Sequence, residues 1–263
     1  MGYDLHITRA IQDYESERFP ILDAEVVAAV HTASDLVIPS DAPRHPGFCY
    51  VLWASSASDE YLLFQNGRLS TKNPSDALQR RMIELAARLD AWVIGQDAEL
   101  YEWDGNRVVQ RWRSREAYAG RPRLITRGST SSGMNSQAPI TASEWTALVG
   151  AQTDFETTTS IEVELPSGLR RIACPPVACW TGHPSGRPVP FFHDEDLIEV
   201  SDADEPTERR MAELAAVLAA RVADPNEPER DPAAACPCGR TTLAACVAQH
   251  SGEVTEAGSS TAS

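Results

Sequence analysis

Near the start of the chain Tyr3, Leu5 and Ile7 alternate with Asp4, His6 and Thr8, the two-residue period of a strand with one buried face. Residues 23–33 read as a helix, and residues 48–55 and 61–71 as strands. Over residues 74–94 the period lengthens: Leu78, Met82, Leu85, Leu89 and Trp92 recur every three or four positions. That spacing predicts a long helix with one stripe facing a core. Asn73 stands where an N-cap would, and Pro74 at a first turn, where its missing N–H costs nothing. Residues 99–103 and 107–112 flank Asp104-Gly105-Asn106, a turn sequence that predicts a hairpin.

The second half echoes the first. Arg80-Arg81-Met82-Ile83-Glu84-Leu85-Ala86-Ala87 returns as Arg209-Arg210-Met211-Ala212-Glu213-Leu214-Ala215-Ala216. Ile7-Thr8-Arg9 returns as Ile125-Thr126-Arg127, and Pro20-Ile21 with Glu25 returns as Pro139-Ile140 with Glu144. The echoes keep their order, with about ten extra residues late in the second copy, so an internal duplication is expected. The second copy predicts a strand near 123–127, a helix over 142–151, strands at 160–164, 170–180 and 191–200, and a final helix from Pro206 with no strand after it. The order strand, helix, two strands, helix, with a hairpin added, resembles the split βαβ of ferredoxin-like folds. The expected class is therefore α+β: a first unit over 1–114, a linker or long loop over 115–138, a second unit over 139–223, and a disordered tail over 224–263.

Charge narrows the partners. Among 263 residues, 23 are basic and 38 acidic, a formal net charge of −15 that disfavours nucleic acid and anionic membrane surfaces and admits basic proteins. No run approaches the length of a membrane-spanning helix, and the N-terminus lacks the basic and apolar regions of a signal peptide, so a cytoplasmic location is expected. Residues 194–231 hold thirteen acids against four arginines. Asp194, Glu195, Asp196, Glu199, Asp202, Asp204 and Glu205 are the candidate binding residues, a face that would steer a cationic partner. No cofactor is expected, save zinc at the tail.

Three local patterns carry other chemistry. His6-Ile7-Thr8 resembles half of the signature of the 2H phosphoesterases, and His183-Pro184-Ser185 offers a second His-x-Ser; the resemblance implies a phosphoesterase in which His6 and His183 flank a phosphoester. Leu124, however, stands where the repeat would place the second histidine. Cys174 and Cys179, with His183 and His193 beyond, have the composition of a zinc site, although a regular strand would send the two thiols to opposite faces. Cys236-Pro237-Cys238-Gly239, with Cys246 and His250, is similar to the opening of the SEC-C zinc motif, which implies a zinc-binding adaptor. The opening Tyr3-Asp4-Leu5-His6-Ile7-Thr8-Arg9-Ala10 resembles a family of small bacterial cytosolic proteins, some of whose relatives are similar to immunity proteins of polymorphic-toxin systems. That resemblance implies a non-enzymatic protein that masks a basic toxin.

Overall fold

The N-terminal alternation forms β1 (Asp4–Thr8), which buries Leu5 and Ile7 completely. The computed structural model describes residues 3–54, 60–112, 122–128 and 139–225. After β1 come a single 3-10 turn (Asp13–Glu15), α1 (Asp23–His31), β2 (Leu36–Val37), β3 (Cys49–Trp53), β4 (Tyr61–Gln65), β5 (Arg68–Lys72), α2 (Asp76–Arg88), β6 (Trp92–Gly95), β7 (Leu100–Trp103) and β8 (Val108–Arg111). These strands form one sheet in the order β2-β3-β4-β5-β1-β6-β7-β8. A second series follows: β9 (Arg123–Thr126), α3 (Ala142–Gly150), β10 (Phe155–Leu165), β11 (Gly168–Trp180), β12 (Val189–Asp194), β13 (Leu197–Val200), α4 (Glu205–Val217) and β14 (Arg221–Ala223). Its sheet runs β10-β11-β12-β13-β9-β14, the order of the first six strands of the other sheet. The chain is α+β, and none of its described helices is long and apolar enough to cross a membrane.

Several expectations change. The strand expected over 61–71 is a hairpin, because Asn66 and Gly67 both take positive φ and turn the chain between β4 and β5. A Cβ on Gly67 would lie 2.7 Å from the Ser16 carbonyl oxygen, so the turn needs its glycine. The strand expected over 191–200 likewise divides into β12 and β13, at Glu195 with φ 46°. Asn73 is not the cap of α2: its N–H and side chain bracket Tyr3, and Ser75 caps instead, accepting from the Leu78 N–H. The fourth change concerns helix ends.

Helix α2 stops at Arg88, six residues before its expected end. Asp90 adopts φ 49° and the Ala91 N–H reaches back to the Ala86 carbonyl, a left-handed stop made without glycine. Trp92 thus belongs to β6 and leaves the helical stripe. Ala219, at φ 50°, does the same for α4, with Ala220 bonded to Ala215. A strand, β14, does follow that helix, contrary to expectation, and pairs with β9 as β6 pairs with β1. Four strands separate the helices of each series, where two were expected in the first and three in the second. Every described pairing is antiparallel, so β1 and β4, which flank β5, run in the same direction without pairing.

The two series match in detail as well as in order. Arg9 donates to the Pro20 and Leu89 carbonyls and to the Glu25 carboxylate, and Arg127 donates to the Pro139 and Leu218 carbonyls and to Glu144. Asp35 accepts from the Trp53 indole and from Arg81; Asp154 accepts from the Trp180 indole and from Arg210. Each arginine ties the end of the first strand to the start of one helix and the end of the other, so one fork closes three backbone ends of its unit. The cores are separate: Leu5, Ile7, Leu78, Met82 and Leu85 lie in one, Ile125, Phe191, Ile198, Met211 and Leu214 in the other.

Candidate functional site

The units differ where they touch. Asp154 and Trp180 are 26 residues apart, Asp35 and Trp53 only 18, so most of the extra length of the second series lies in the β10–β11 hairpin. With Phe192 of β12, that hairpin forms a third apolar cluster of Ile161, Leu165, Ile172, Val177 and Cys179, against which Phe19 and Trp92 of the first unit pack. At its tip Ser167 donates to the Asp90 carboxylate through both its N–H and its hydroxyl. The left-handed residue that stops α2 is therefore also the hairpin's landing point.

At the other edge of this contact Arg18 forms a hub. Its Nη2 lies 2.7 Å from Asp194 Oδ2 and 2.9 Å from Glu199 Oε2, its Nη1 3.6 Å from Glu15 Oε1, and its guanidinium 5.2 Å from the centre of the Phe192 ring. Burial opposes the Arg18 charge, but the Glu199 and Asp194 carboxylates outweigh that and raise its pKa further. Burial pushes the Glu15 carboxyl up, and Glu199 adds to the shift while Arg18 opposes it. Two of the seven sequence-predicted binding residues, Asp194 and Glu199, are thus spent at least partly on holding the units together.

Others are spent locally. Asp204 caps α4, accepting from the Thr207 N–H, and takes a bond from His183; the Thr207 hydroxyl chiefly holds its carboxyl below the usual range, with His183 contributing. Glu205 pairs with Arg209 one turn along. Glu195, Asp196 and Asp202 make no ion pair or side-chain hydrogen bond among the described residues, and Glu195 and Asp202 are exposed. These three are the free part of the predicted face.

Between the units the hub borders a groove of about 820 Å³. The first unit supplies Tyr14, Glu17 and Arg18; α3, Gln152 in the turn after it, β10, β11 and β12 supply the rest. Its floor is an aromatic trio, Trp145, Phe155 and Phe191, with ring centres 5.2 to 6.2 Å apart. Pro175 and Pro176, exposed on β11, form an apolar wall beside it. The sequence reading missed Tyr14, Glu17 and Arg18, because residues 10–22 carry no period; the only signal was their mix of acids, arginine and aromatics between a strand and Pro20.

The remaining candidates resolve differently. His6 is 6% exposed, and Asp13 approaches it at 3.8 Å. Burial pushes its pKa down against the pull of Asp13. His183 sits in the other unit between Ser185 and Asp204, and no described contact joins the two histidines as a phosphoesterase pair would require. Cys174 and Cys179 share one apolar cluster, because β11 bulges between them, residues 174–176 standing opposite the single position between Thr158 and Ser160, which breaks the regular alternation. Burial, aided by Cys174 and Glu156, pushes the Cys179 thiol up to about 11, an unreactive protonated form at neutral pH. His193 is turned to the Ile140 carbonyl. Among the described residues no group of three or more His, Cys, Asp or Glu side chains could hold a metal. Cys236, Cys238, Cys246 and His250 lie outside the described residues.

Compared with family models, curated proteins and solved structures, the chain matches none.

Proposed function

We propose that the chain is a non-enzymatic binding protein for a basic protein partner, of the kind an immunity protein masks, and that its two units arose by duplication. The observation that carries the reading is the unbalanced charge at the joint. Four carboxylates, Glu15, Glu17, Asp194 and Glu199, surround or border the guanidinium of Arg18, and Glu195, Asp196 and Asp202, further along the chain, make no ion pair or side-chain hydrogen bond among the described residues. Excess charge of one sign beside a concave apolar surface attracts a partner at long range and leaves close contact to the groove. The matched arginine forks support the duplication.

The test is kinetic. The chain is tagged in its native host, the co-purifying protein is identified, and association is measured from 0.01 to 0.1 M salt, across which the Debye length falls from about 30 to about 10 Å. A basic partner should bind more slowly as salt rises. Glu195→Gln, Asp196→Asn and Asp202→Asn together should lower the on-rate roughly tenfold at low salt and change dissociation by less than about twofold. Association insensitive to both salt and the triple substitution would overturn the reading.

A further inference from the structure

The groove has a chemistry narrower than negative charge. Tyr14 stands at its wall 72% exposed, a large aromatic face offered to solvent. Beside it Glu17 is exposed and makes no ion pair or side-chain hydrogen bond among the described residues. Asp194, its side chain 55% exposed, spends Oδ2 on Arg18, and its Oδ1 makes no hydrogen bond among the described residues. An exposed ring next to two carboxylates suits a planar cation, which stacks on the ring and gives its N–H groups to the oxygens. The same pairing already recurs around the groove within the chain: Arg18 lies over Phe192, and Arg210 lies 5.5 Å from the centre of the Phe155 ring.

The two units also diverge here in a way that leaves the groove open. In the first unit the segment between β2 and β3 is tied back to the start of α1 through Arg44 and Asp23, 3.9 Å apart. In the second unit the equivalent connection is the long hairpin, which turns away to pack on the first unit, so the flank of α3 that carries Trp145 and the exposed Thr146 borders the groove instead.

We propose that this groove seats an arginine side chain presented by the basic partner, stacked on Tyr14 and hydrogen-bonded by Glu17 and Asp194. The proposal rests on the binding reading above and specifies where and by what chemistry that partner is held. Lysine carries the same charge with no planar face, so the site should tell the two apart, whereas an acidic surface alone would not.

The probes are nona-arginine and nona-lysine, titrated calorimetrically into the full chain at fixed low salt. The wild type should bind nona-arginine about threefold or more tighter than nona-lysine, the increment of a guanidinium on an exposed ring. Tyr14→Ala should erase that preference, and its exposed side chain makes a folding defect an unsuitable explanation if the circular dichroism is unchanged. Thr146→Arg, which brings a fixed cation to the groove wall, should weaken both peptides roughly tenfold. The triple substitution Glu195→Gln, Asp196→Asn, Asp202→Asn should weaken both equally and keep the arginine preference. Equal binding of the two peptides, unmoved by Tyr14→Ala and Thr146→Arg, would overturn the groove and leave the acidic reading standing. Failure of both peptides to bind at low salt would overturn both readings.

Discussion

A carboxylate bound by its own helix shows what single residues contribute. Glu144 closes the capping box of α3 with Thr141 and receives Arg127, and these bonds, Arg127 first, hold its carboxyl down at about 2 against an ordinary 4.5. Because the folded value lies below the unfolded one, the stability this group contributes is complete above about pH 4.5 and is lost as pH falls toward 2. Urea midpoints measured from about pH 6 to pH 2 should therefore fall more steeply for the wild type than for Glu144→Gln, with the two curves converging at the acid end. Parallel curves would show that the fork contributes nothing through Glu144 ionisation. The repeat made this residue visible as a matched glutamate, but its role could not be read, because its partner Arg127 is positioned by the Pro139 and Leu218 carbonyls, which carry no side-chain signature.

At the scale of elements, periodicity located the first long helix and the repeat located the second, and Leu85 and Leu214 are each 1% exposed, at matching positions in separate cores. Leu85→Ala and Leu214→Ala should each cost roughly 2–5 kcal/mol in denaturant unfolding, through lost burial and the cavity left behind. A cost below about 1 kcal/mol in either would remove that leucine from the core. Helix ends were the weak point. Glycine usually signals a left-handed stop, but Asp90 and Ala219 make it here, and nothing in their side chains announces it. The Asn66-Gly67 turn was legible and was read through, because Leu62, Phe64 and Leu69 keep the apolar character of one strand on both sides of it. Strand order was beyond the pattern, since period fixes which face is buried and says nothing of which strand is the neighbour.

Across the whole molecule, the joint decides what the protein can present. Arg18 meets Asp194 and Glu199 across 176 and 181 residues, and no local pattern relates positions so distant, which is why the acidic segment read as a uniform face and proves to be partly an internal clasp. The two matched units share their forks and caps; the groove, the hub and the long hairpin are features of their difference. The account therefore makes the groove depend on docking of the units through Arg18. The most direct test is nona-arginine affinity of Arg18→Met at fixed low salt, on protein whose circular dichroism matches the wild type. The substitution removes a positive charge, so a surface acting by charge alone would bind the peptide more tightly. If the docked groove is the seat, loosening the clasp misplaces Tyr14 and Glu17 against α3, and the affinity should fall by roughly fivefold or more, a loss of about 1 kcal/mol. Unchanged or tighter binding by Arg18→Met would contradict the account.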